Sequence, residues 1–278
     1  IVVRTGKPVK WDAKNEKIYV SDIVAGVVYI YDLKNSELST VTTTGIPNLP
    51  ASVQIYALAL DKQSNLYALI PKLRKILVFD STATYQRTIN LPSGCERPVA
   101  ITIDNLKDRL LASDVQNNKI FVMDLTGSAL FSFGGAGDAS SRFNRPVGVA
   151  VNKKGEILVA DSFNARIQTF DSAGQFIRTF GRRGDSDSDF QLIKSIAVDS
   201  DDNIYVVDAR SNIVKIFDHE GNFLLSFGGY YAVASGGKTA PGGFALPLDI
   251  DIDADNNVYV VDQLNARVQA FRYLPETR

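Results

Sequence analysis

The sequence predicts an all-β fold made of six copies of one unit set around a common axis, and three observations carry that reading. The first is recurrence: ILVADSFNARIQTFD at 157–171 returns as IYVVDARSNIVKIFD at 204–218 and as VYVVDQLNARVQAFR at 258–272. Anchored on the aspartate that closes the hydrophobic phrase, the equivalent positions are Asp22, Ile70, Asp114, Asp161, Asp208 and Asp262, spaced 48, 44, 47, 47 and 54 residues apart. A period of this length held over six copies marks structural repeats. The second is local pattern: short β-branched and aromatic runs alternate with Gly, Asn and Asp turns, and nowhere does a 3.6-residue apolar period persist. The third is burial: four short strands cannot cover both of their own faces, so six such sheets must stack on one another. Together these predict a six-bladed β-propeller of four-stranded antiparallel blades in one domain, residues 1–278.

Copy four shows the unit most plainly, with strands VGVAV, EILVA, RIQTF and QFIRTF joined by the turns NKKG, DSFNA and DSAG. Projected along the chain, the blades span about 7–45, 51–92, 97–134, 145–181, 192–228 and 246–274. A ring must also close. The sixth copy ends at FRYLPETR before an outermost strand, while the N-terminal IVVRTG resembles FIRTFG of copy four, so residues 1–6 are expected to pair onto the last blade.

Bulk composition excludes several classes of function. With 30 Lys+Arg against 31 Asp+Glu the net charge is −1, unlike the basic balance of a general nucleic-acid binder. Cys95 is the only cysteine and His219 the only histidine, so neither a disulfide nor a multi-histidine metal centre can form within the chain. His219 lies in the DHEGN turn, at the end of the unit away from the variable loops. A catalytic triad would need its partners on the other side, and no catalytic residue is assigned.

The phrases FNRPVGVAVNKKGEILVADSFNARIQTFDSAGQFIRTFG and LPLDIDIDADNNVYVVDQLNARVQAFRYL resemble NHL repeats, and the chain as a whole resembles bacterial six-bladed NHL propellers. Copies three to six carry the resemblance; in copies one and two the FG ending is lost, and Ile70 and Pro71 replace the phrase-ending aspartate and its neighbour. The resemblance implies an exported, extracytoplasmic protein, with a lipid anchor upstream as one form of attachment. It implies a protein partner, such as a multihaem cytochrome or another exported protein. Peptide-amide lyases built on such propellers use a histidine-rich zinc site, which this chain lacks.

Variable loops on a rigid scaffold are where binding concentrates. In this fold the connections between second and third strands share one face, the top, with the crossings between blades. An arc of arginines falls there: Arg142 and Arg145, then Arg166, then Arg182 and Arg183, then Arg210. Guanidinium forks suit carboxylates and phosphates. The longest crossing, GGYYAVASGGKTAPGGFALP, adds Tyr230 and Tyr231, which offer a ring and a hydroxyl at low entropic cost. In DSFNAR and DQLNAR the pairs Asp161 with Arg166 and Asp262 with Arg267 are expected to pin their own loops.

Two acidic features remain. Asp185, Asp187 and Asp189 in DSDSD are oxygen ligands of the kind calcium takes, but without the glycine and distal glutamate of an EF-hand. The innermost strands carry small or hydroxyl residues at two alternating positions in copies two to five. Copy six has Asp249 and Asp251 there, and copy one has Pro8 and Lys10. Period-two geometry and ring closure bring Lys10 to Asp251 as a charge pair; the alternative is a channel cation, such as calcium, held by Asp249 and Asp251. The leading functional expectation is a non-enzymatic interaction module. A lactonase-like hydrolase with a metal at the channel mouth is the alternative, and RNA binding through the arginine patch the third.

Overall fold

A computed structural model describes residues 6–23, 25–232 and 241–272. Its strands fall into six sheets. Blade one holds β1–β4 (Gly6–Asp12, Lys17–Asp22, Val27–Asp32, Glu37–Thr42) and blade two β5–β8 (Ala57–Leu60, Leu66–Ile70, Lys75–Phe79, Tyr85–Asn90). Blade three holds β9–β12 (Pro98–Asp104, Arg109–Asp114, Lys119–Asp124, Ala129–Gly134) and blade four β13–β16 (Pro146–Val151, Ile157–Asp161, Arg166–Phe170, Phe176–Phe180). Blade five holds β17–β20 (Ile193–Val198, Ile204–Asp208, Ile213–Phe217, Phe223–Gly228), and blade six β21–β23 (Pro247–Ile252, Val258–Asp262, Arg267–Phe271).

Every blade is an antiparallel meander in chain order, and the chain is a six-bladed β-propeller. The first strands form the inner ring: β1 neighbours β5, then β9, β13, β17 and β21 follow in turn, and β21 returns to β1. The sixth sheet has three strands among the described residues; the expected closing strand at 1–6 lies, but for Gly6, outside them. Gly6 itself belongs to blade one, opposite Asp22. The ring is nonetheless shut by packing of Val9, Ile18 and Val20 on Tyr259 and Val261, with Trp11 stacked 5.3 Å from Tyr259.

The hydrophobic phrase is continuous because its strand has no solvent face. β6, β10, β14, β18 and β22 are buried at every position, each pressed between the blades on either side. Outermost strands such as β12 and β20 are largely open to water.

The FG ending has a packing reason. Phe143, Phe190 and Phe244 on successive crossings are fully buried, each 5.4–5.7 Å from a third-strand phenylalanine: Phe170, Phe217 and Phe271 respectively. Phe133, Phe180 and Phe227 complete each trio at 4.8–4.9 Å from the same third-strand ring. Such aromatic pairs add about 0.5–1.5 kcal/mol beyond burial. The glycine after the fourth-strand ring has φ between 85° and 111° at Gly134, Gly181 and Gly228, and a Cβ there would strike the crossing phenylalanine. Gly181→Ala is therefore expected to lower unfolding stability by about 2–4 kcal/mol, left-handed strain and overpacking together, as read by urea denaturation. Blades one and two lack the trios; Phe79 keeps the third-strand ring in blade two, and Ile, Leu and Val supply most of the remaining packing, among them Ile55, Leu58, Leu69 and Ile70.

Candidate functional site

Each aspartate that closes the hydrophobic phrase is turned inward. Asp114, Asp161, Asp208 and Asp262 have no exposed surface. Their carboxylates accept backbone N–H groups of the incoming crossing: Arg97 at 2.9 Å on Asp114, Asn144 at 2.7 Å on Asp161, Leu192 at 2.9 Å on Asp208, and Ala245 at 2.7 Å on Asp262. The crossing arrives with unpaired amides, and a buried acceptor is what holds it.

In blades four and six the same carboxylate recruits three side chains. Arg166 Nε and Arg267 Nε donate at 2.8 Å to Asp161 Oδ2 and Asp262 Oδ2, and the side-chain amides of Asn164 and Asn265 donate at 2.8 Å to the same oxygens. Gln168 and Gln269 complete the clusters and also donate to crossing carbonyls, at Arg142 and Gly243. Arg166 is consumed here: its second nitrogen donates to the carbonyls of Ala139 and Arg142. Its guanidinium pins the loop.

Blade five solves the same problem differently. Ile213 stands at the arginine position and Lys215 at the glutamine position. The buried Lys215 Nζ donates to the carbonyls of Ser186, at 3.1 Å, and Asp189. Burial pulls its pKa below the usual lysine value, and the charges of Asp208, Asp187, Asp189 and Asp185 oppose that shift. The DSDSD loop thus folds over an ammonium. Asp189 accepts Arg182 Nε at 3.0 Å, and Asp185 accepts Gln191 Nε2 at 2.7 Å. Although burial opposes it, the hydrogen bonds and charge of Arg182 and the Ser186 amide hold the Asp189 carboxyl below its usual value.

The outer arginines remain at the surface. Arg142 donates to Gly134 O, Arg183 to the carbonyls of Phe163 and Gln191, and Arg145 stacks 4.9 Å over the Phe163 ring. The Arg182 side chain is 79% exposed even with Asp189 in contact, and Arg210 is exposed. Tyr230 is 75% exposed; Tyr231 is half-buried, its N–H donating to Phe244 O. His219 lies exposed in the β19–β20 turn on the opposite face.

A cavity of about 820 Å³ runs down the axis, walled by the six first strands. At the junction of blades six and one, Lys10 Nζ lies 2.7 Å from Asp251 Oδ1, while Asp251 Oδ2 accepts Trp11 N–H at 2.6 Å. Asp249 Oδ2 accepts Val9 N–H at 2.9 Å, and its other oxygen accepts Ser195 Oγ–H. The two aspartates thus satisfy the inner edge of β1, whose amides have no next strand to pair with. Burial lowers the affinity of Lys10 for its proton, but the charges of Asp251 and Asp249 and the Asp251 hydrogen bond outweigh it and leave the ammonium above its usual pKa. Burial likewise pushes Asp249 upward, against Lys10 and its hydrogen-bond donors. All four carboxylate oxygens of this pair face donors of the protein. No group of three or more His, Cys, Asp or Glu side chains is arranged to hold a metal among the described residues. Cys95 is buried, and burial with the neighbouring Asp114 charge pushes its thiol up to about 12.

At the upper mouth the cavity is lined by residues the sequence reading passed over: Gln54, Tyr56, Lys72, Arg97 and Lys194, beside Arg145. A signal for one of them is present, since Arg97-Pro98 before β9 repeats the Arg145-Pro146 dipeptide before β13.

Comparison with known proteins agrees with this architecture. The family model of the NHL repeat matches residues 143–170, the segment from the crossing phenylalanine through the third strand of blade four. No curated protein matches the chain in sequence. Among solved structures, a streptogramin B lyase superposes with a TM-score of 0.67 at 14% identity, over 95% of this chain and 78% of that one. A catalytically inactive virginiamycin B lyase variant from Staphylococcus aureus, with quinupristin, gives 0.68 at 13% identity over 97% and 80%. A structural genomics protein of unknown function from Bacteroides thetaiotaomicron gives 0.75 at 13% identity over 97% and 69%. At these identities the likeness is one of fold.

Proposed function

We propose that this propeller is a non-enzymatic binding module whose top face, between blades three and five, holds an acidic surface of a partner protein. One observation carries the reading. The exposed cations Arg142, Arg182 and Arg210 are mounted on or beside loops fixed from within by buried aspartate clusters, so binding them costs little ordering of the scaffold. Phe163, 46% exposed beneath Arg145, adds an apolar contact at the centre of the same sector. An exported redox protein is the partner class that the repeat resemblance suggests, in an extracytoplasmic setting.

The enzyme reading has less to stand on. The aspartates of the channel serve the blade junction, and the single histidine sits on the far face. Fold likeness to the lyases does not carry their chemistry to this chain.

The test uses Arg142→Glu/Arg210→Glu, two exposed positions outside the aspartate clusters. At low salt, a partner recovered from the native host by the wild-type protein is expected to be lost by the variant, with an unchanged thermal melt. Loss should also follow from raising the salt, since exposed charges more than about 8–10 Å apart are screened at physiological ionic strength. Equal recovery by both proteins would remove the top-sector reading.

A further inference from the structure

The axial cavity points to a site separate from that sector. Its lining includes six cations (Lys10, Lys72, Arg74, Arg97, Arg145 and Lys194) against three carboxylates, in a chain whose overall charge is −1. The carboxylates are not available to balance the rest. Glu96 receives Arg74 Nη1 on both oxygens at 3.0 Å, and Asp249 and Asp251 are engaged by Lys10, Ser195 and the edge of β1. What remains is a cationic mouth to which blades two to four contribute: Lys72 follows β6, Arg97 precedes β9 and Arg145 precedes β13. Lys72 and Arg97 are exposed, and their side chains make no hydrogen bond or ion pair among the described residues. Below them the wall is of small side chains, Ala57, Ala100, Gly148 and Ser195, which leave the lumen open.

We infer that the upper mouth of the channel binds a small organic polyanion, its carboxylate or phosphate groups held by Lys72, Arg97 and Arg145 and its body in the small-residue lumen. The volume falls within the roughly 300–1,000 Å³ of small-ligand pockets, a scale suited to a metabolite-sized molecule and too narrow for a folded partner. Like charges converging on a concave, low-dielectric opening focus their field on whatever enters. Both Arg and Lys then make charge-assisted hydrogen bonds that are stronger than neutral ones. The inference does not rest on the partner-binding reading, since none of Arg142, Arg182 and Arg210 lines the cavity.

The experiment is calorimetric titration of the whole chain with tricarballylate and, separately, inorganic pyrophosphate, against sodium chloride at matched ionic strength. One-to-one binding of at least one probe is expected. Arg97→Ala and Lys72→Ala should each weaken it about tenfold, the order expected for losing one charge-assisted hydrogen bond. Arg97→Lys should recover part of the loss, and Arg142→Ala should change nothing. Preference for tricarballylate identifies a carboxylate ligand, preference for pyrophosphate a phosphate, and equal affinity a site that reads charge alone. No heat from either probe at millimolar concentration, or affinity unchanged in the Arg97→Ala/Lys72→Ala protein with an unaltered melt, would overturn the inference.

Discussion

Lys10→Met is expected to destabilise the propeller by about 2–3 kcal/mol at neutral pH, below the roughly 3–5 kcal/mol of a fully buried pair, because Lys10 and Asp251 keep 23% and 16% of their side-chain exposure. The cost comes from what the substitution leaves behind. Asp251 would face Asp249 with only the Trp11 amide to answer it, and both sit where the ring closes. Asp251→Asn keeps an acceptor for Trp11 N–H while removing the charge, so the double variant should lose less than the two single losses added, by at least about 1 kcal/mol. Urea unfolding of the four proteins measures this directly. Strict additivity would mean that the pair does not hold the junction.

The pH dependence has a definite sign. The folded-state pKa of Lys10 is raised, so its stabilisation is whole below the unfolded value of about 10.5 and is lost as pH climbs through the folded value. The stability difference between wild type and Lys10→Met should therefore shrink in alkali. Asp249 is also raised, so the sign is the same in a lower window: between its unfolded value near 3.9 and its higher folded value, the folded state binds the extra proton and stability falls with rising pH. Without Lys10 that fall should be steeper, because nothing then offsets the burial of its charge.

This junction was legible in the sequence because strand alternation fixes which residues share a side, and repeat alignment fixes their level. Lys10 and Asp251 could be matched across 241 residues by those two rules alone. The same rules sorted the arginines only in part. They pair Arg166 with Asp161 inside one loop, yet leave it in the surface arc beside Arg142, because the crossing carbonyls that also draw it inward belong to residues 139 and 142, outside the repeated phrase. Nor could they find the partner of DSDSD. Lys215 lies 26 residues beyond Asp189, on a strand where its blade departs from the arginine–glutamine pattern. The channel mouth was harder still, since its cations come from several blades and only PKLRK at 71–75 places two of them close together in the chain.

Asp161→Ala is expected to be the most damaging single change in blade four, at about 3–5 kcal/mol, and the reason is the charge it strands. Arg166 is 14% exposed and has no other carboxylate within ion-pair distance among the described residues, so its guanidinium would stay buried against carbonyls alone. The Asn144 amide would lose its acceptor, and Asn164 and Gln168 one each. Hydrogen exchange should report it locally, with protection at Asn144 collapsing while the second strand of blade three stays closed. Blade two shows that the aspartate can be dispensed with where the cation opposite it, Lys75, is only partly buried. There Ile70 and Leu77 occupy the aspartate and glutamine positions, are almost wholly buried, and receive a crossing of different sequence. Asp161→Leu/Arg166→Leu, which leaves no unpaired charge, should accordingly be more stable than Asp161→Ala by about 1 kcal/mol or more. If the double variant is the less stable of the two, the burden in Asp161→Ala lies in the lost loop hydrogen bonds rather than in the stranded guanidinium.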